Sequence, residues 1–195
     1  MALSKIQAES MNLADTYAFT GTISGTSDLV LIDTQTVSSS VASVTHQDKI
    51  TSTYTLYKCV FNGVKKDTSS GLGLRFMAGS SEISTANYDY VYGMGARSRS
   101  DTTWFTRSSD NSYMQLIESV HGNTCSAVYY VDVALKDTNH STVYGSSSHW
   151  TATGAITTTF QARYTLSNSN ISGLKYITTS GNYTSGTFSI YGVKR

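Results

Sequence analysis

From Asp28 onward, apolar side chains return at every second position over short stretches broken by Gly, Asn, Ser and Asp. Successive side chains of a β-strand point to opposite faces, whereas a helix repeats every ~3.6 residues, so this spacing selects strands. Leu29 to Val37 opens the series, and Val41 to Thr45 follows across a turn at Ser38, Ser39 and Ser40. Tyr54, Leu56, Lys58 and Val60 then alternate with Thr55, Tyr57, Cys59 and Phe61. Both of those faces are largely apolar, which predicts a central strand with one face against a second sheet. Asn62 and Gly63, a turn-forming pair, are expected to end it.

Leu72, Leu74 and Phe76 line one face of the next strand, with Gly73, Arg75 and Met77 on the other, and Tyr88, Tyr90, Tyr92 and Met94 repeat the pattern. Met114 to Glu118, Ala127 to Leu135, Val143 to Thr151, Ile156 to Tyr164, Ile171 to Thr178 and Thr187 to Val193 complete it. No stretch reads as a persuasive amphipathic helix. The composition agrees: 59 residues are Ser or Thr, 14 are Tyr and none is Pro, while the residues that favour helices are scarce. About ten short strands with such turns predict an all-β fold, an antiparallel β-sandwich or jelly roll over residues 28–195.

Residues 1–27 differ. Leu3, Ile6, Met11 and Leu13 are spaced irregularly for either period, and Tyr17, Phe19 and Ile23 then alternate with small residues. This predicts a partly extended arm that packs on something else, anchored by Ile6, Met11, Leu13, Tyr17 and Phe19, with a short helix as the alternative. Ala96 to Ser112 is the longest break in alternation and is expected to project as an insertion loop.

Charge limits the function classes. Fourteen Lys and Arg against thirteen Asp and Glu leave a net charge of only +1, whereas phosphate-backbone binding calls for a basic excess. Nucleic acid is therefore not an expected partner. No apolar run has the length of a membrane span or of a signal peptide, so the expectation is a soluble product made in a cytoplasm, without a membrane partner. Cys59 and Cys125 both fall in strands and read as small buried hydrophobes; two cysteines make no disulfide framework.

Catalytic chemistry has no foothold in the pattern. The four histidines, His46, His121, His140 and His149, lie far apart and none has a partner at metal-ligand spacing, so no metal or other cofactor is expected. Gly21 to Gly25 holds its Ser one place late for a nucleophile elbow. Asp132 sits mid-strand, as a paired or edge carboxylate does. Gly93 and Gly95 lack the third glycine of a dinucleotide cradle and suit a bend or a close backbone approach. The chain reads as a non-enzyme.

The aromatic residues say more. Tyr88, Tyr90 and Tyr92 form a ladder on one strand face; exposed, it would stack on sugars or on a neighbouring subunit, and buried, it is core. Trp104 and Phe105, flanked by Arg99 and Arg107, are the candidate contact loop.

Three stretches resemble a family of small structural proteins and fibre modules of tailed bacteriophages, of the marine and cyanobacterial type. They are Lys5 to Gly25; the spacing of Tyr54, Tyr57, Phe61 and Val64 followed by Leu72 to Phe76; and the closing run from Ser180 to Gly192 with its Tyr-Gly ending. The resemblance implies a virion-associated β-sandwich, commonly oligomeric, with no catalytic residues to carry over; a trimer is the expected state, because small β modules gain stability by burying edges and apolar faces between subunits. It leads to the expectation of a surface protein of the particle, assembled in the bacterial host cytoplasm, serving as capsid decoration or as a head or tail fibre component. Its partners would be copies of itself and other capsid or tail proteins. The alternative is a receptor-binding module for a host surface glycan.

Overall fold

The computed structural model describes residues 28–97, 103–120, 124–133, 140–151, 154–166 and 170–194. The expected arm, with Ile6, Met11, Leu13, Tyr17 and Phe19, lies outside the described residues, as does Arg99.

Among the described residues the chain forms thirteen strands and no helix. They are β1 (Leu29–Val37), β2 (Ser43–His46), β3 (Leu56–Lys66), β4 (Ser70–Ala78), β5 (Ser81–Glu82), β6 (Tyr88–Arg97), β7 (Thr103–Asn111), β8 (Met114–Val120), β9 (Cys125–Asp132), β10 (Ser141–Thr151), β11 (Gly154–Tyr164), β12 (Gly173–Thr178) and β13 (Tyr183–Val193). Two antiparallel sheets pack as a sandwich. The larger runs β1-β13-β3-β9-β10-β11-β6-β7, and the smaller β2-β12-β4-β5 with β8 paired to β4.

Alternation explains which face is covered. On β11, Ile156, Thr158, Phe160, Ala162 and Tyr164 are buried, while Thr157, Thr159, Gln161 and Arg163 are exposed. On β9, Cys125, Ala127, Tyr129 and Val131 point in and Ser126 and Val128 out. Strand β4 is buried on nearly every residue because β12 and β8 flank it while the larger sheet covers Leu72, Leu74 and Phe76. Aromatic rings fill the space between the sheets. Phe61 meets Tyr129, Tyr176 and Phe188 with ring centroids at 5.2, 4.8 and 4.7 Å, all edge to face, the geometry that sets a ring's positive edge on its neighbour's negative face.

Three expectations are corrected. Asn62 and Gly63 do not end their strand: β3 continues to Lys66 with its register against β9 shifted between Phe61 and Val64. The left-handed backbone of Gly63 (φ 61°) makes a bulge there, a conformation glycine adopts without cost. The interval from Ala96 to Ser112 is not wholly a loop, since Thr103–Asn111 is β7, the edge strand beside β6. An edge strand is held by backbone pairing on one side and needs no apolar alternation. Asp132 is exposed at the end of β9 rather than in its middle.

Candidate interaction face

The tyrosine ladder of β6 faces the core. Tyr88 is fully buried, its hydroxyl donating to the Ile83 carbonyl at 2.9 Å and accepting from the Phe76 amide at 3.1 Å; burial pushes its phenol well up. Tyr92 is also buried, and half-buried Tyr90 donates to Gln115 Oε1 at 3.2 Å. Fixed in this way, Tyr88 and Tyr92 offer no face to a sugar. Trp104 lies on β7 opposite Met94, while Phe105 and Arg107 are exposed on the outward side, opposite Gly93 and Val91.

These two open onto a much wider surface. Leu31 pairs with Tyr191, Tyr191 with Lys58, Lys58 with Tyr130 and Tyr130 with Tyr144. Tyr144 pairs with Gln161, Gln161 with Val91, and Val91 with Arg107. One row of side chains thus crosses all eight strands on the outward face. Tyr130 and Tyr144 stack within it, centroids 5.5 Å apart and planes 21° from parallel. Six large apolar side chains are exposed among the described residues, and five of them, Leu31, Val91, Phe105, Val128 and Tyr144, stand on this face. That concentration is unlike the single scattered hydrophobes of an ordinary surface.

Shallow grooves follow the face. One of about 440 Å³ runs between Val91, Gly93, Phe105, Tyr144, Thr159 and Gln161. A second, of about 570 Å³, is lined by Asp89, Arg107, Gln161 and Arg163 among others, with Arg163 paired to Asp89 at 2.9 Å. Comparison with protein-family models, curated proteins and solved structures finds no match. The face itself therefore carries the functional reading.

Several titratable groups elsewhere are buried or bonded within the fold. Burial pushes the thiols of Cys59 and Cys125 up to about 12, and both are free. Lys66, brought down to about 8 by burial against the opposing charge of Asp67, donates to the carbonyls of Ser70 and Gly71 at 2.9 and 2.8 Å and to Ser70 Oγ. Ser70 Oγ in turn donates to the Ser180 carbonyl. With its three protons committed, Lys66 is a tie across the β3–β4 turn rather than a base for Ser70. His46 Nδ1 lies 2.8 Å from Asp33 Oδ2. Among the described residues, no group of His, Cys, Asp and Glu is arranged to hold a metal ion.

Sequence reasoning found Phe105 and Arg107 but missed Leu31, Val128, Tyr130, Tyr144 and Tyr191. Each was legible as the outward residue of a strand. Their convergence depends on pairings between segments far apart in the chain, which no local window contains.

Proposed function

We propose that the protein is a non-enzymatic structural component of a bacteriophage virion, carried on the particle surface as capsid decoration or as a head or tail fibre component. It acts through contacts with copies of itself and with other virion proteins. The observation that carries this reading is the outward face of the eight-stranded sheet, where five large apolar or aromatic side chains stay exposed, on β1, β6, β7, β9 and β10. Such a surface gains by being covered. The resemblance of Lys5 to Gly25 and of Ser180 to Gly192 to phage structural modules supplies the virion context. Quantitative mass spectrometry of purified particles of the encoding phage tests it. The protein is expected at a fixed copy number that survives stringent washing; its absence from the particles overturns the assignment.

A host glycan is the second reading, favoured by the groove beside Arg107, where Gln161, Asp89 and Arg163 present planar polar groups next to Val91. A glycan array comparing the wild type with Arg107→Ala separates it, because only this reading expects binding that the substitution removes.

A further inference from the structure

The eight-stranded sheet holds a feature that exposure alone does not express: charge is missing from the middle of its outward face. Below the row that contains Lys58 runs a second, in which Thr34 pairs with Ser189, Ser189 with Val60 and Val60 with Val128. It continues from Val128 through Ser146 and Thr159 to Gly93 and Phe105. In the third row, Thr36 pairs with Thr187 and Thr187 with Asn62. Past the bulge in β3 it resumes with Ser126, Ser148 and Thr157 and ends at Gly95 and Thr103. Across eight strands, neither row has an ionisable side chain. Charge returns at the margins, as Arg107 on the edge strand, as Asp89, Arg163 and Asp132 beyond the first row and as Lys65 beyond the third; among the described residues Lys58, half-buried, stands alone inside them.

From this we infer that the two uncharged rows are the core of an interface between copies of this chain. The inference deepens the structural reading given above, and rests on it, by naming the surface and its occupant. Three considerations select a second copy. Depletion of charge at the centre inside a polar rim is a mark of protein–protein interfaces, and it sets this surface apart from one kept in solution by mixed charges. Recognition of a foreign protein draws on complementary charge to steer and select. A neutral field of hydroxyl and β-branched side chains has no such code, and it meets its own copy without like-charge repulsion. The extent also fits. At about 4.8 Å per strand the eight strands are about 38 Å wide, and the two uncharged rows together with the Lys58 row at their rim cover about 20 Å along the strands. The resulting ~770 Å² per copy is close to the ~800 Å² per partner of a stable interface. Hydroxyls that bond within one copy, as Thr34 Oγ1 and Ser189 Oγ do at 3.0 Å, keep unused lone pairs for a partner.

Sedimentation velocity on the purified full-length chain tests the inference. The wild type is expected to sediment as an oligomer at micromolar concentration. Val128→Lys and, separately, Ser146→Lys each place a charge at the centre of the uncharged rows, where copies would confront it with itself. Both positions are exposed, so the fold should survive, which circular dichroism and the melting temperature check. Self-association should weaken at least about tenfold in each. Mixing Val128→Lys with Val128→Glu should restore it. Thr179→Lys, exposed on the turn between β12 and β13, should leave it unchanged. A monomeric wild type, or folded Val128→Lys and Ser146→Lys proteins that keep the wild-type state, overturns the inference. Those outcomes remove this interface but leave the test on purified particles standing; absence from particles, with association intact, removes the virion role and leaves the interface.

Discussion

The ring of Phe105 lies directly over Gly93 on the neighbouring strand, so close that a Cβ added to the glycine would come within 2.6 Å of it. The two residues face each other across the β6–β7 pairing. The ring covers backbone that glycine leaves bare, a cross-strand arrangement that strengthens an otherwise weak position. Phe105 is 78% exposed, so its contribution is modest and confined to the edge. Phe105→Ala is expected to destabilise the protein by about 0.5–1 kcal/mol, read from the urea midpoint. Faster amide hydrogen exchange should appear along Thr103–Asn111 and not in β3 or β9. Unchanged exchange in β7 would show that the ring contributes nothing to the pairing.

That pair also marks where local pattern stops being informative. Strands β3, β9 and β11 were readable because each buries alternate residues against one sheet. β7 was hidden because it lies at the edge, takes its stability from β6, and has in Phe105 an apolar residue that points outward. Gly63 misled for a different reason. A left-handed glycine after Asn suits a turn and a bulge equally, and only the partner strand, resuming at Val64 opposite Cys125, decides between them. The tyrosine ladder of β6 was visible as a ladder, but its direction was set by Phe76 and Ile83, which bracket the Tyr88 hydroxyl. The outward face was the least legible feature. A row such as Leu31, Tyr191, Lys58 and Tyr130 exists only after distant segments have been brought into register.

Two buried histidines should make the sandwich sensitive to mild acid. Burial lowers His46 below its usual 6.5, against the pull of Asp33, and burial alone lowers His149. His149 has no hydrogen-bond partner at either ring nitrogen among the described residues. The unfolded chain therefore binds these protons more readily than the folded one. Stability is undiminished above pH 6.5 and falls as the pH drops below it, by at most about 1.4 kcal/mol per pH unit for each histidine. Asp33 is held below its usual 3.8: burial raises it, but hydrogen bonds from Gln35 and His46 prevail. Its loss belongs to a lower window, below pH 4. Denaturant melts between pH 7 and 5 should show the fall, and His149→Leu should remove part of it. A flat profile across that range would exclude both histidines as its source.

Cys59 and Cys125 should be chemically silent in the folded protein. Both side chains are fully buried, and burial pushes both thiols up to about 12, whereas the thiolate is the reactive form. At pH 8 an aromatic disulfide reagent is expected to label neither while the sandwich is closed and both once it is unfolded in guanidinium. Labelling should then follow the rate of opening, not the reagent concentration. Rapid native labelling of either cysteine would mean that the inter-sheet core opens locally.

Lys66 offers a test of how far one buried amine holds the β3–β4 turn. It is 2% exposed and donates to the Ser70 and Gly71 carbonyls and to Ser70 Oγ. The turn between these strands is also tied to the β12–β13 turn. Asp67 Oδ1 accepts from the Asn182 amide at 2.8 Å, and Ser70 Oγ donates to the Ser180 carbonyl. Lys66→Met keeps most of the apolar stem but removes every donor, leaving two buried carbonyls without that partner. Unmade bonds of this kind are costly in a way that lost surface pairs are not, and the expected loss is about 2–3 kcal/mol, measured by urea unfolding at neutral pH. Since the two turns share these bonds, exchange should quicken at Asn182 and Tyr183 as well as at Ser70. A substitution that is neutral, or whose effect stays within the β3–β4 turn, would show that the two turns are held independently.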